Sequence, residues 1–101
     1  MNVSHDALEN DDTVPVTPEK IARFSTALAK ADFWNMLPDE PSRGLRLDGA
    51  EWILEGVQDG KYHIVVRWCP AARSASSQAL AFADAARLLL EFAGQKFKGD
   101  C

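Results

Sequence analysis

Two strand-like runs flank the tripeptide Gln58-Asp59-Gly60, and no other feature constrains the fold of this chain as tightly. Glu51–Val57 and Lys61–Trp68 are rich in β-branched and aromatic residues, the types that suit a pleated, half-buried surface. Turn residues between two such runs join them as an antiparallel hairpin. Side chains alternate across a strand with period two. A one-residue slip in pairing therefore moves every side chain to the opposite face.

Two loops are compatible with the tripeptide. A two-residue Asp59-Gly60 turn sets Glu55 against Ile64, Glu51 against Trp68 and Trp52 against Arg67, so that each face mixes acids with large apolar groups. A three-residue loop with Gly60 in the left-handed region sets Trp52 against Val66, Leu54 against Ile64 and Gly56 against Tyr62, and Trp68 extends that apolar face. The other face then collects Glu51 opposite Arg67, Glu55 opposite His63 and Val57 opposite Lys61, with Ile53 and Val65 between them. The second register separates apolar from charged groups and places glycine where positive φ is needed. It is the register expected from the sequence.

A helix is expected ahead of the hairpin, over 18–31. Thr17 can cap it, Pro18 suits its first position, and Glu19 complements its dipole. Val16 and Ile21 match a hydrophobic staple, and Ile21, Phe24, Leu28 and Ala31 recur at helical spacing. Phe33–Leu37 reads as a short strand or an irregular packed segment, 38–44 as a loop, and Leu45-Arg46-Leu47 as a further short strand. A second helix is expected over 76–93, with Gly94 as its C-terminal cap and Leu80, Ala81, Ala85, Leu88, Leu89 and Phe92 on its apolar face. Helix, strands and helix in that order predict an α+β fold. It has a small antiparallel sheet of three or four strands, built on the hairpin 51–57/61–68, with both helices on one face.

The 101 residues fit one domain. The expected organisation is a mobile acidic tail over 1–14, an α+β domain over 15–95 and a frayed tail over 96–101. The formal charge of −4 belongs to the first segment: Asp6, Glu9, Asp11 and Asp12 meet no Lys or Arg in residues 1–12, and the rest holds 11 acids against 11 bases. No basic patch accompanies this balance, which argues against nucleic acid as a partner. No apolar run approaches the roughly 18 residues of a membrane span. The first residues, Met1-Asn2-Val3-Ser4-His5-Asp6, lack the basic and apolar regions of a secretory signal, so a cytoplasmic protein is expected. Cys69 and Cys101 form neither a disulfide framework nor a zinc knuckle by spacing, and no cofactor or metal is implied.

The segments Asp48-Gly49-Ala50-Glu51-Trp52-Ile53-Leu54-Glu55-Gly56-Val57, Gly60-Lys61-Tyr62-His63 and Arg67-Trp68-Cys69-Pro70, with Phe33-Trp34 ahead of them, carry a resemblance. Over roughly residues 20–93 the chain resembles a group of small uncharacterised bacterial proteins that share a Phe-Trp segment, an Asp-Gly…Trp…Glu-Gly strand and a Gly-Lys-Tyr-His…Arg-Trp-x-Pro strand. The resemblance implies a bacterial origin, in the manner of mobile gene-cassette products. It implies no activity and no catalytic residue.

Glu51, Glu55, His63 and Arg67 are the one constellation with chemical content. A carboxylate beside His63 would fix its tautomer for acid–base work, and Arg67 could grip an anion. An exposed sheet face needs such matched charges in any case. Trp34 and Asn35 are candidates for lining a cleft between helix and sheet. No nucleophile–base pair, metal spacing or phosphate loop is present. The functional expectation is a non-catalytic binding domain that self-associates as a homodimer or docks a protein partner through Glu51, Ile53, Glu55, His63, Val65 and Arg67. The alternative is a small-molecule binder or modest acid–base enzyme using Glu55, His63 and Arg67.

Overall fold

The computed structural model describes residues 13–39, 51–72 and 75–95. Helix α1 spans Pro18–Ala31 and starts as its sequence dictates: the Thr17 hydroxyl accepts from the Lys20 N–H, and proline occupies the first turn. It buries Phe24, Leu28 and Ala31, while Ile21, expected on the same stripe, stays exposed. Asp32 ends the helix in the left-handed region, at φ 56°. Its carboxylate accepts from Asn35 Nδ2 at 2.8 Å, which ties down the 3₁₀ turn Phe33–Asn35. That turn replaces the irregular or extended segment expected there, and it buries Phe33 and then Met36.

Strands β1 (Glu51–Gln58) and β2 (Lys61–Trp68) form an antiparallel pair. The fold is therefore α+β with a small sheet. Two strands are present among the described residues; the strand expected at 45–47 lies outside them, as do residues 1–12 and 96–101 of the two expected tails.

The hairpin register overturns the three-residue loop. Gln58 pairs with Lys61, Gly56 with His63, Leu54 with Val65, Trp52 with Arg67 and Glu51 with Trp68. The turn is Asp59-Gly60, with φ of 53° and 74° at its two central residues. Positive φ at both defines a type I′ turn, whose twist matches that of the flanking strands. Aspartate reaches the left-handed region at modest cost and glycine at none. Local turn energetics thus prevail over the cleaner separation of apolar and charged groups in the alternative register.

The expected core face changes accordingly. Trp52, Leu54 and Val65 are buried and share one side of the ribbon. Tyr62, Ile64, Val66 and Trp68, expected to pack beneath the helices with Trp52 and Leu54, lie on the other side.

Helix α2 (Ser77–Phe92) is capped by the Ser76 hydroxyl, which accepts from the Ala79 N–H. It ends in a Schellman arrangement: Gly94, at φ 76°, donates to the Glu91 carbonyl, and Gln95 donates to Leu90. Gln78 Nε2 donates to the Ala31 carbonyl, joining the start of α2 to the end of α1. At the opposite ends, Lys20 Nζ and the Arg23 guanidinium lie 5.5 and 5.6 Å from the Phe92 ring centroid. The two helices are therefore antiparallel neighbours. The core joins Phe24 and Leu28 of α1, Phe33, Met36, Trp52, Leu54, Val65, and Ala81, Phe82, Ala85 and Leu89 of α2. Phe82, fully buried, was absent from the apolar face expected for α2, whereas Leu80, placed on that face, is 40% exposed.

Candidate docking face

The register divides the expected constellation between the two sides of the ribbon. Glu51, Ile53 and Glu55 point to the outer side; His63, Val65 and Arg67 point to the inner side. Glu55 stands opposite Ile64, and Glu51 opposite Trp68. Neither carboxylate faces a cation across the ladder, so the Glu55–His63 pair needed for tautomer control is not formed as a cross-strand pair.

The inner side has its own logic. His63 faces Gly56, and the Phe33 and Trp34 rings lie against it. The Phe33 ring meets the imidazole edge-on with centroids 5.1 Å apart, and Trp34 lies 6.0 Å away at 34°. Phe33 and Trp34 also meet edge to face, at 5.0 Å. A β-carbon added at Gly56 would come within 3.1 Å of Trp34 Cη2. Glycine is therefore needed there for the indole to close over the sheet. His63 Nε2 is shielded from solvent and has no hydrogen-bond partner among the described residues. Trp34 thus packs on His63 and Gly56, and Asn35 hydrogen-bonds Asp32 at the turn. Val65 is fully buried. Arg67 donates from Nη1 to its neighbour's carbonyl, Val66 O, at 2.7 Å.

The outer side is where apolar groups meet solvent. Val57 is 64% exposed, Tyr62 59% and Ile53 38%. Ile64, Val66 and Trp68 are half-buried on the same side. None of these six belongs to the core cluster. Partial burial of the Tyr62 phenol, together with its hydrogen bond to and the charge of Glu55, raises its pKa above the usual 10.0. One edge is also occupied: the Val66 N–H donates to the Pro38 carbonyl at 2.8 Å, so the segment following the 3₁₀ turn runs beside β2.

Sequence reasoning placed Val57 on the open face but assigned Tyr62, Ile64, Val66 and Trp68 to the core face. The signal that finds them is the Asp59-Gly60 dipeptide, which sets the register once it is read as a two-residue turn.

Cys69 follows β2 with φ 44° and is disulfide-bonded. Cys101, the chain's other cysteine, lies outside the described residues. The bond at Cys69 departs from the expectation that the cysteines form no disulfide framework. Such a bond persists in oxidising surroundings. Among the described residues no group of three or more His, Cys, Asp or Glu could hold a metal ion, and no helix is long and apolar enough to cross a membrane. Compared with known proteins, the chain matches no family model, no curated protein and no solved structure.

Proposed function

We propose that this protein is a non-catalytic binding domain whose docking surface is the outer face of the β1–β2 hairpin. One observation carries the reading: Val57 and Tyr62 stand exposed opposite each other on the two-stranded ribbon, Ile53 is exposed on the same face beyond the Glu55–Ile64 pair, and all three lie outside the hydrophobic core. Single exposed apolar residues are ordinary on a protein surface, but a contiguous group on a regular element marks an interaction site. Tyrosine and tryptophan are enriched at the energetic centres of interfaces, and Tyr62 and Trp68 sit on this face.

The acid–base alternative loses its geometry with the register, because Glu55 and His63 project to opposite sides. A third strand at Leu45–Leu47, expected from the sequence, would widen the sheet on which this face is displayed. The same register brings Glu51 and Glu55 onto the docking face and removes Arg67 from it. The partner is accordingly a protein rather than nucleic acid, since phosphates would meet carboxylates there.

Site-specific photo-crosslinking tests this reading. A benzophenone amino acid is placed at Val57 or Tyr62 in the full chain, with Ala29, an exposed position on α1, as control. Expressed in the native host and irradiated, the hairpin probes yield a covalent adduct of one discrete mass, and the α1 probe does not. Equal labelling at all three positions, or none at the hairpin, overturns the proposal.

A further inference from the structure

The hairpin has two edges, and they differ. In a two-residue hairpin the residues flanking the turn exchange main-chain hydrogen bonds, and bonded pairs then alternate along the ladder. Gln58–Lys61, Gly56–His63, Leu54–Val65 and Trp52–Arg67 are therefore the bonded pairs. Ile53, Glu55 and Val57 aim their N–H and C=O groups away from β2, as Ile64 and Val66 aim theirs away from β1. The β2 edge bears out this alternation, because the outward Val66 N–H donates to the Pro38 carbonyl at 2.8 Å. At the β1 edge, no main-chain group among the described residues does the same for Ile53, Glu55 or Val57. A two-residue turn at Asp48-Gly49 would bring the strand expected at 45–47 back no further than Trp52, clear of these three positions.

A row of outward N–H and C=O groups is a template for one more strand. Proline, lysine and bulges are the usual devices that block such pairing. The eight residues of β1 contain neither proline nor lysine, and their register runs without a bulge from Glu51 to Gln58. A two-stranded sheet is also marginal on its own, and a third or fourth strand stabilises it.

The sequence of β1 fits a second copy of itself. Antiparallel pairing about a two-fold axis allows few registers. Centred on Ile53 or on Gly56, it runs Val57 or Ile53 off the end of the opposing strand. Centred on Glu55, it sets the Glu55 carboxylates of the two copies directly opposite each other, which is destabilising. Centred on Leu54, it engages all three outward residues and keeps the two Glu55 side chains apart. Ile53 of each copy then exchanges main-chain bonds with Glu55 of the other. On the inner side the buried Leu54 meets its own copy at the axis, so the two cores adjoin.

We infer that the β1 edge pairs antiparallel with β1 of a second copy, about a two-fold axis at Leu54, to give a four-stranded sheet in the order β2–β1–β1–β2. The interface is isologous and closed, so it stops at the dimer. The outer faces of the two copies lie side by side and stay open. The docking surface proposed above therefore stands whether or not this pairing forms.

The native full chain tests this by sedimentation and NMR. It should sediment as a dimer at millimolar concentration and dissociate on dilution. The amides of Ile53, Glu55 and Val57 should exchange with solvent at least about tenfold more slowly in the dimer than in the dilute monomer. In a mixture of ¹³C-labelled and unlabelled chains, an isotope-filtered spectrum should connect Leu54 Hα of one copy with Leu54 Hα of the other. Glu55→Pro removes one outward N–H and spares the ladder to β2, so it should give a monomer that keeps the circular dichroism spectrum of the native monomer. A chain that stays monomeric at millimolar concentration would overturn the inference. Edge amides whose protection is independent of concentration would do so too, since another segment of the same chain would then cover the edge. A dimer without the Leu54 contact, or one that folded Glu55→Pro retains, would place the association elsewhere and overturn it as well.

Discussion

At the scale of single residues, two glycines carry the geometry for different reasons. Gly60 sits at φ 74° with open space around it, so its constraint is purely conformational. Gly60→Val should cost about 1–2 kcal/mol, the penalty of a β-carbon in the left-handed region, measured by urea denaturation. Gly56 has no such torsional demand; its constraint is the indole 3.1 Å from where a β-carbon would stand. Gly56→Val should cost about 1–3 kcal/mol as overpacking, and the environment of Trp34 should change with it, visible in tryptophan fluorescence. Tyr62 offers a reading of electrostatics on the outer face. Partial burial, the hydrogen bond with Glu55 and the Glu55 charge all hold its proton. Folding therefore favours the protonated phenol, and that contribution is complete below the ordinary pKa of 10.0 and lost as pH rises through the higher folded value. Ultraviolet titration of Glu55→Gln should show the Tyr62 midpoint moving down toward the ordinary value. A midpoint that stays in place would assign the shift to burial alone.

At the scale of elements, the helices were legible in the sequence because their ends are written in local chemistry. Thr17 followed by proline fixes the start of α1, and Ser76 and Gly94 bracket α2. Each such signal acts over one turn of chain and needs no knowledge of the rest of the fold. Ser76→Ala should therefore cost about 1 kcal/mol of stability through the orphaned Ala79 N–H, whatever α2 packs against. A change below about 0.3 kcal/mol in thermal or urea unfolding would show that solvent replaces the cap fully. The hairpin was legible as a hairpin but not in its register. Two criteria conflicted there, face segregation and turn type, and the segregated register was preferred although Asp-Gly is the stronger short-range signal. The segregation argument assumed that an outer face must be polar, and this ribbon instead turns Tyr62, Ile64, Val66 and Trp68 to that face. The 3₁₀ turn Phe33–Asn35 was beyond sequence reasoning for another reason. It depends on Asp32 adopting positive φ and on aromatic packing against Gly56, a residue more than twenty positions away.

At the scale of the whole molecule, the register determines which half of the ribbon belongs to the core and which to a partner. This gives a test that separates the two registers without a structure. In the segregated register Ile53 and Val65 share an outer face, and lysine at either would be tolerated alike. In the observed register they part: Val65 is fully buried beside Leu54, Phe82 and Phe24 in the core cluster, and Ile53 is 38% exposed on the other side. A lysine at position 65 either places an uncompensated charge in the core or expels the strand from it. Either should remove about 3–5 kcal/mol, a large part of the stability of a domain this small. A lysine at position 53 can lay its stem along the ribbon and hold its ammonium in water, near Glu51 and Glu55, at a cost within about 1 kcal/mol. Val65→Lys should therefore be largely unfolded by circular dichroism at 25 °C, while Ile53→Lys melts close to the native chain. Equal tolerance at the two positions would restore the segregated register and return His63 to the side of Glu55. With that reversal the exposed face would be charged rather than apolar, and the proposal of an apolar docking surface would fail with it.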